Sequence, residues 1–278
     1  MRFSAEPRQA PIPLGARPPQ PRATVVAVGS GKGGVGTSTV AALLAATMAA
    51  GGHRVLLVDA GQRLGGLHHL LGVEPAGSLN DLRGGERMPN DLLVPVAERL
   101  FLFPSTVEEG AMRSTERQLL MRRVRSLYDE YALVVVDAGS SAESLVGACA
   151  DGASRLLAVT AEDRISLVAT YALVKLLHER ANGVRVDIVA NRVSHEAADR
   201  LHDYLNAASV RFLSRTVPFA GTVPEDPDFG SALAAGLGTD EAVLGSNAAV
   251  AVRAIGERLL TESAAPSTTS LHRLLRKG

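Results

Sequence analysis

The sequence predicts an α/β fold, a doubly wound and mostly parallel sheet flanked by helices. Three observations predict it. Short runs of Val, Leu, Ile and Ala alternate with longer helical stretches, as expected for strands buried on both faces and joined by crossover helices. A glycine-rich turn follows the first such run and opens the first helix, at the strand ends where this fold collects ligands. The 278 residues, with an ordinary balance of apolar and charged side chains, suffice for one large core.

Met1 to Arg22 hold Pro7, Pro11, Pro13, Pro18, Pro19 and Pro21 and little that could form a core, so a disordered, partly polyproline arm is expected. From Ala23 the pattern changes. Strands are predicted at Thr24–Gly29, Arg54–Asp59, Leu133–Asp137, Leu156–Thr160 and Val186–Asn191, with a further one at Leu100–Phe103. Phe212–Val217 reads as an edge strand ended by Pro218. Helices are predicted at Thr37–Ala50, Ser114–Tyr131, Ile165–Ala181, His195–Ala207, Pro227–Ala235 and Ser246–Glu262. The domain thus runs over 23–263, and Ala264 to Thr269 tether a final tail within 264–278.

Several classes are disfavoured at this point. Cys149 is the only cysteine, which leaves no disulfide framework and no CxxC metal or cluster site within one chain; its apolar surroundings suggest a core thiol. Formal net charge is zero, so bulk electrostatics give no strong case for nucleic acid. No apolar run approaches the ~18–20 residues needed to span a bilayer, and a cytoplasmic location is expected.

The chemistry concentrates in Gly31-Lys32-Gly33-Gly34-Val35-Gly36-Thr37-Ser38. The template G-x-x-x-x-G-K-[ST] is satisfied except that Thr37 replaces its lysine. Glycines there let backbone N–H groups curl around phosphate oxygens, the helix N-terminus adds its dipole, and Ser38 stands where a hydroxyl would hold magnesium. The acidic pair Glu162-Asp163 follows a strand end, another place where binding loops gather.

Lys32, directly after the first glycine, makes Gly31 to Ser38 resemble the deviant Walker A loop of the MinD/ParA family of P-loop NTPases (SIMIBI type). The resemblance runs from about Thr24 to Glu262. It implies ATP and Mg as cofactors and a nucleotide-sandwich homodimer in which Lys32 reaches the partner's phosphates. Val55 to Ala60 is similar to the family's second strand with its switch aspartate, Asp59. Val134-Val135-Val136-Asp137 resembles the Walker B strand, implying that Asp137 holds magnesium through water. Asn191 resembles the adenine-contacting asparagine, and Val223-Pro224-Glu225-Asp226 the proline loop beside the base. Leu70-Leu71-Gly72-Val73, Leu79-Asn80-Asp81-Leu82 and Thr170-Tyr171-Ala172-Leu173-Val174-Lys175 look most like the FlhG branch, regulators of flagellar number and placement.

Two departures from the family pattern bear on activity. Thr37 lacks the positive charge that normally lies along the β- and γ-phosphates. Gly61, in Asp59-Ala60-Gly61, stands where the family has a second aspartate that orients the attacking water. Phosphoryl transfer depends on positioning and electrostatic stabilisation, so slow or absent hydrolysis is expected. Binding rests on Gly33, Gly34 and Gly36, with Lys32 from a partner able to return one charge.

In the tail, Leu271, Leu274 and Leu275 share one helical face while Arg273, Arg276 and Lys277 occupy the other. This resembles the membrane-targeting tail of MinD and implies peripheral association with the inner face of the cell membrane. The alternative is a frayed terminal helix, packed on the domain or left in solvent. Three functional readings follow: a regulatory switch with a protein partner of unknown identity, a nucleotide-independent scaffold, and a DNA-segregating ParA-type ATPase. Paired cysteines would be needed for a cluster carrier, and one cysteine per chain argues against it.

Overall fold

The computed structural model describes residues 23–61, 66–104, 114–150, 152–181, 183–227, 229 and 240–264. Eight strands form one sheet: β1 (Thr24–Gly29), β2 (Val55–Asp59), β3 (Val94–Ala97), β4 (Leu100–Phe103), β5 (Leu133–Gly139), β6 (Arg155–Thr160), β7 (Arg185–Asn191) and β8 (Phe219–Val223). Their order is β3-β4-β2-β5-β1-β6-β7-β8. All neighbours pair in parallel except β3, which runs antiparallel to β4 at one edge. The helices are α1 (Thr37–Ala50), α2 (Leu67–Leu71), α3 (Ser114–Val124), α4 (Ala142–Ala150), α5 (Arg164–Arg180), α6 (His195–Leu213), α7 (Glu241–Leu244) and α8 (Asn247–Ala264).

The central strands alternate between two cores. Val25 and Ala27 of β1 face one cluster while Val26 and Val28 face the other; Leu56 and Val58 of β2 part from Val55 and Leu57 in the same way. Their lack of polar alternation therefore reports burial on both faces. One face carries α3, α4, α5 and α6, and the other carries α1, α7 and α8. Helix α1 is buried along almost its whole length. A side-chain carbon at Gly256 of α8 would come within 2.4 Å of Met48 Sδ, so any larger residue there would force Met48 and Leu44 of α1 to shift. The far end of α8 is tied to β6 and β7 through Glu262, which pairs with Arg155 and Arg185; both arginines also pair with buried Asp187.

Several boundaries differ from expectation. Phe212–Val217 is not a strand. The amphipathic period of α6 continues through buried Leu205 and Ser209 to Leu213, and Ser214 then ends the helix in a left-handed conformation. The eighth strand begins only after Pro218, whose carbonyl accepts the Ile188 amide. The predicted helix over Ser114–Tyr131 tightens into a 3-10 turn at Arg125–Glu130. Strand β3, carrying Pro95 at the sheet edge, was not anticipated. Cys149 is half-buried at the rim of the core on α4, with burial pushing its thiol up to about 11. The Pro-rich arm, most of the helix expected at Pro227–Ala235, and the tail from residue 265 lie outside the described residues. No helix among the described residues is long and apolar enough to cross a membrane.

Candidate functional site

The chain leaves β1 at its carboxyl end, turns through Ser30 to Gly36 and enters α1. Gly34 and Gly36 have φ of 82° and 89°, values that side chains with a β-carbon disfavour. At Gly36 there is also no room: an added carbon would lie 2.3 Å from Asn191 Nδ2. Gly36 occupies the N-cap of α1 without any side-chain cap, so the first-turn N–H groups remain for an anion in the loop.

Thr37, in the place of the loop lysine, is engaged within the loop. Its hydroxyl donates to Ser30 Oγ at 2.8 Å, and the Ser30 hydroxyl donates to the Lys32 carbonyl at 2.9 Å. Both side chains are buried. The substitution is thus absorbed by a short hydroxyl chain that closes the loop on itself.

Next to α1, Asp59 and Asp137 stand in register at the ends of adjacent strands β2 and β5. Both are buried. Burial, and then the charge of Asp137, push the Asp59 carboxyl up to about 7 despite amides from Gly61 and Leu67. Burial likewise raises Asp137, opposed by the Ser38 hydroxyl and the Gly139 amide. Two confined carboxylates with a hydroxyl between strand and helix form an oxygen donor set of the kind magnesium takes, so the expected Ser38 and Asp137 fit the ion. At Gly61 the backbone carbonyl accepts from Arg117 Nη2 at 2.9 Å. A guanidinium of α3 therefore holds the segment where the family carries its second aspartate.

Across α1 lies a cavity of about 340 Å³, at the lower end of the size range of small-molecule sites. Gly36, Asn191 and Pro224 all line it, together with Thr39, Leu43 and Arg192. Asn191 Nδ2 donates to the Val35 carbonyl at 2.8 Å, fastening the loop to the end of β7. The structure thus gathers Gly31 to Ser38, Asp59, Asp137, Asn191 and Pro224 at the carboxyl edge of one sheet. Lys32 turns aside: its ammonium lies 3.2 Å from Asp163, which also caps α5 by accepting from the Ile165 and Ser166 amides. Leu271, Arg273, Leu274, Leu275, Arg276 and Lys277 are outside the described residues. Sequence reasoning missed Ser30, Arg117 and Arg192. Only Arg192 carried a signal, its place beside Asn191.

A phosphate-binding loop between the first strand and first helix of a doubly wound sheet, with paired aspartates beside it, defines a P-loop nucleotide-binding domain of the deviant lysine type. The chain belongs to the family described as CobQ/CobB/MinD/ParA nucleotide binding domain, which matches residues 26–239. Among its relatives is the antiactivator FleN of Pseudomonas aeruginosa, 28% identical over 239 residues that cover 84% of this chain and 85% of FleN. Its likeness to FleN sets the chain near the FlhG branch. The septum site-determining protein MinD of Synechocystis is 26% identical over 215 residues, covering 73% and 76% of the two chains. The solved structure of MinD from Pyrococcus horikoshii, complexed with Mg-ADP, superposes with a TM-score of 0.69 at 22% identity, covering 87% of this chain and 98% of that one, a likeness of fold. The segments read as FlhG-like supply mainly core: Leu71, Leu79, Leu82, Thr170, Leu173 and Val174 are buried.

Proposed function

We propose that this protein is a MinD/FlhG-like nucleotide switch for the spatial or numerical control of a cell-envelope structure, flagella among the candidates. In this reading ATP and magnesium occupy the loop, hydrolysis is slow or absent, and the bound state is a homodimer. The layout is an arm over 1–22, the nucleotide domain over 23–263 and a membrane-associating tail over 264–278. The observation that carries the reading is the convergence of Gly36, Asn191 and Pro224 on one cavity beside the uncapped start of α1.

Each residue has a separate task. The N–H groups of Gly33 to Ser38 and the α1 dipole hold phosphate oxygens. Asn191 and Pro224 receive the base. Ser38 and, through water, Asp137 hold magnesium, which when bound neutralises phosphate charge. Asp59 senses the state of the phosphate end, and Lys32 serves the partner's nucleotide after leaving Asp163. With Thr37 and Gly61 in place, charge stabilisation and water positioning are both weakened, so the bound state is long-lived. Paired tails on a dimer would bind anionic lipid far better than one, through effective concentration.

The buried Thr37–Ser30 bond favours a second reading, a scaffold that no longer uses nucleotide and holds its partner through the same surfaces. Equilibrium binding of a fluorescent ATP analogue to the full chain, with and without magnesium, separates the two. Micromolar binding competed by ATP supports the switch, and dimerisation by sedimentation and recruitment to anionic vesicles then test the rest. Absence of binding up to millimolar ATP leaves the scaffold.

A further inference from the structure

The cation that normally lies inside this loop is gone, and nothing in the loop itself replaces it. Thr37 is turned onto Ser30, and Lys32 is paired with Asp163. One guanidinium nevertheless approaches the loop from another element. Arg192 follows Asn191 directly at the end of β7, and its Nη2 donates to the Gly34 carbonyl at 3.0 Å. Among the described residues that line the cavity holding Asn191 and Pro224, Arg192 is the only lysine or arginine.

The backbone at this residue is unusual. Arg192 has φ of 57°, one of two positive values among the described residues other than glycine. Its amide donates to the Val223 carbonyl at 2.8 Å, so strand β8 fixes the turn in that form. A left-handed arginine at a strand end is a conformation that persists only where its surroundings hold it. Its effect here is to send the chain away toward α6 while the side chain stays at the rim shared by the phosphate loop and the cavity.

We infer that Arg192 is a phosphate-binding residue of the nucleotide site, supplying within the chain the positive charge that Thr37 does not. This rests on the nucleotide-binding reading above. Its ligand class is the adenine nucleotides that carry two or three phosphates. A planar guanidinium released from the Gly34 carbonyl can hold two phosphate oxygens at once, which a threonine hydroxyl cannot. A merely structural Arg192 would pin the loop and act on every ligand alike, so the two roles differ in how their loss scales with phosphate charge.

The test compares AMP, ADP and ATP as competitors of a fluorescent ATP analogue, on full-length wild type, Arg192→Lys and Arg192→Gln. Gln retains a donor for the Gly34 carbonyl without the charge. The expected result is a graded loss in Arg192→Gln, small for AMP and about tenfold or more for ATP, with Arg192→Lys recovering most of it. Salt dependence of ATP binding should also become shallower in Arg192→Gln. An equal loss for all three nucleotides, with the same melting temperature, would assign Arg192 to loop support and overturn the inference. So would unchanged ATP binding. If wild type itself binds none of the three, the nucleotide-binding reading fails, and this inference falls with it.

Discussion

Lys32 Nζ stands 3.2 Å from Asp163 Oδ1, so the lysine expected to serve another chain is engaged within its own. Both side chains are partly exposed, at 40% and 46%, which makes the pair a surface contact that is easily exchanged. Asp163 is held down to about 2 chiefly by the Ser166 hydroxyl and amide, with Lys32 adding less. A carboxyl lowered on folding contributes stability above its ordinary value, and this is lost as pH falls through about 2. Carboxyl NMR should therefore find Asp163 ionised down to that region. Asp163→Asn keeps a capping side chain for α5 but releases Lys32, and acylation of Lys32 should then become several-fold faster. Equal rates in the two proteins would show that the pair is not formed in solution.

Asp59 titrates in the opposite sense. Its carboxyl is raised from 3.8 to about 7 by burial and by Asp137. A folded-state value above the unfolded one favours the fold at low pH; that advantage is lost as pH rises from about 4 through about 7. The displacement corresponds to at most about 4 kcal/mol, and relaxation reduces what is measured. In magnesium-free buffer, Asp59→Asn should be more stable than wild type at pH 8 by about 1–2 kcal/mol. The difference should shrink toward zero at pH 4. Denaturant melts at both pH values check this, and a pH-independent difference would refute it.

Thr37→Lys should strengthen ATP binding about tenfold or more by returning a charge to the loop, after breaking the Thr37–Ser30 bond. Alone it should change turnover little, because Gly61 still lacks a carboxylate. Thr37→Lys with Gly61→Asp should raise single-turnover hydrolysis by about tenfold or more above Thr37→Lys alone. The Gly61 carbonyl already accepts from Arg117, so the new carboxylate enters a segment that is held in place. Equal turnover in the single and double variants would mean that Gly61 does not limit the reaction.

Gly36→Ala tests the junction of loop and cavity. The new carbon would meet Asn191 Nδ2 at 2.3 Å, on a backbone with φ of 89°. We expect a loss of about 2 kcal/mol or more in denaturant melts, with nucleotide binding abolished. Asn191→Ala removes the obstruction and the bond to Val35 together, so the double variant should recover part of the stability and none of the binding.

Much of this architecture could be read in advance because it rests on local patterns. Val25 to Val28 and Val134 to Val136 are apolar without alternation, and such runs suit strands covered on both sides. Gly34 and Gly36 sit where positive φ is needed. The same logic failed where the pattern was short or interrupted. Val94-Pro95-Val96-Ala97 pairs only because β4 offers it an edge, and Phe212 remains helical because α6 keeps its buried stripe for two further turns.

The sequence by itself determined most of the order of strands and helices, the glycine-rich loop between β1 and α1, and the departures from the family pattern at Thr37 and Gly61. These follow from residue type and spacing, which act through neighbours in the chain. Only the tertiary structure decided what replaced the missing groups. Ser30 accepts from Thr37, the Gly61 carbonyl accepts from Arg117, Asp163 pairs with Lys32, and Arg192 comes to the loop from 158 residues away. No local rule contains those pairings. They arise because a parallel sheet brings the ends of distant strands to one edge, and each unpaired polar group there takes the partner that the packing places within reach.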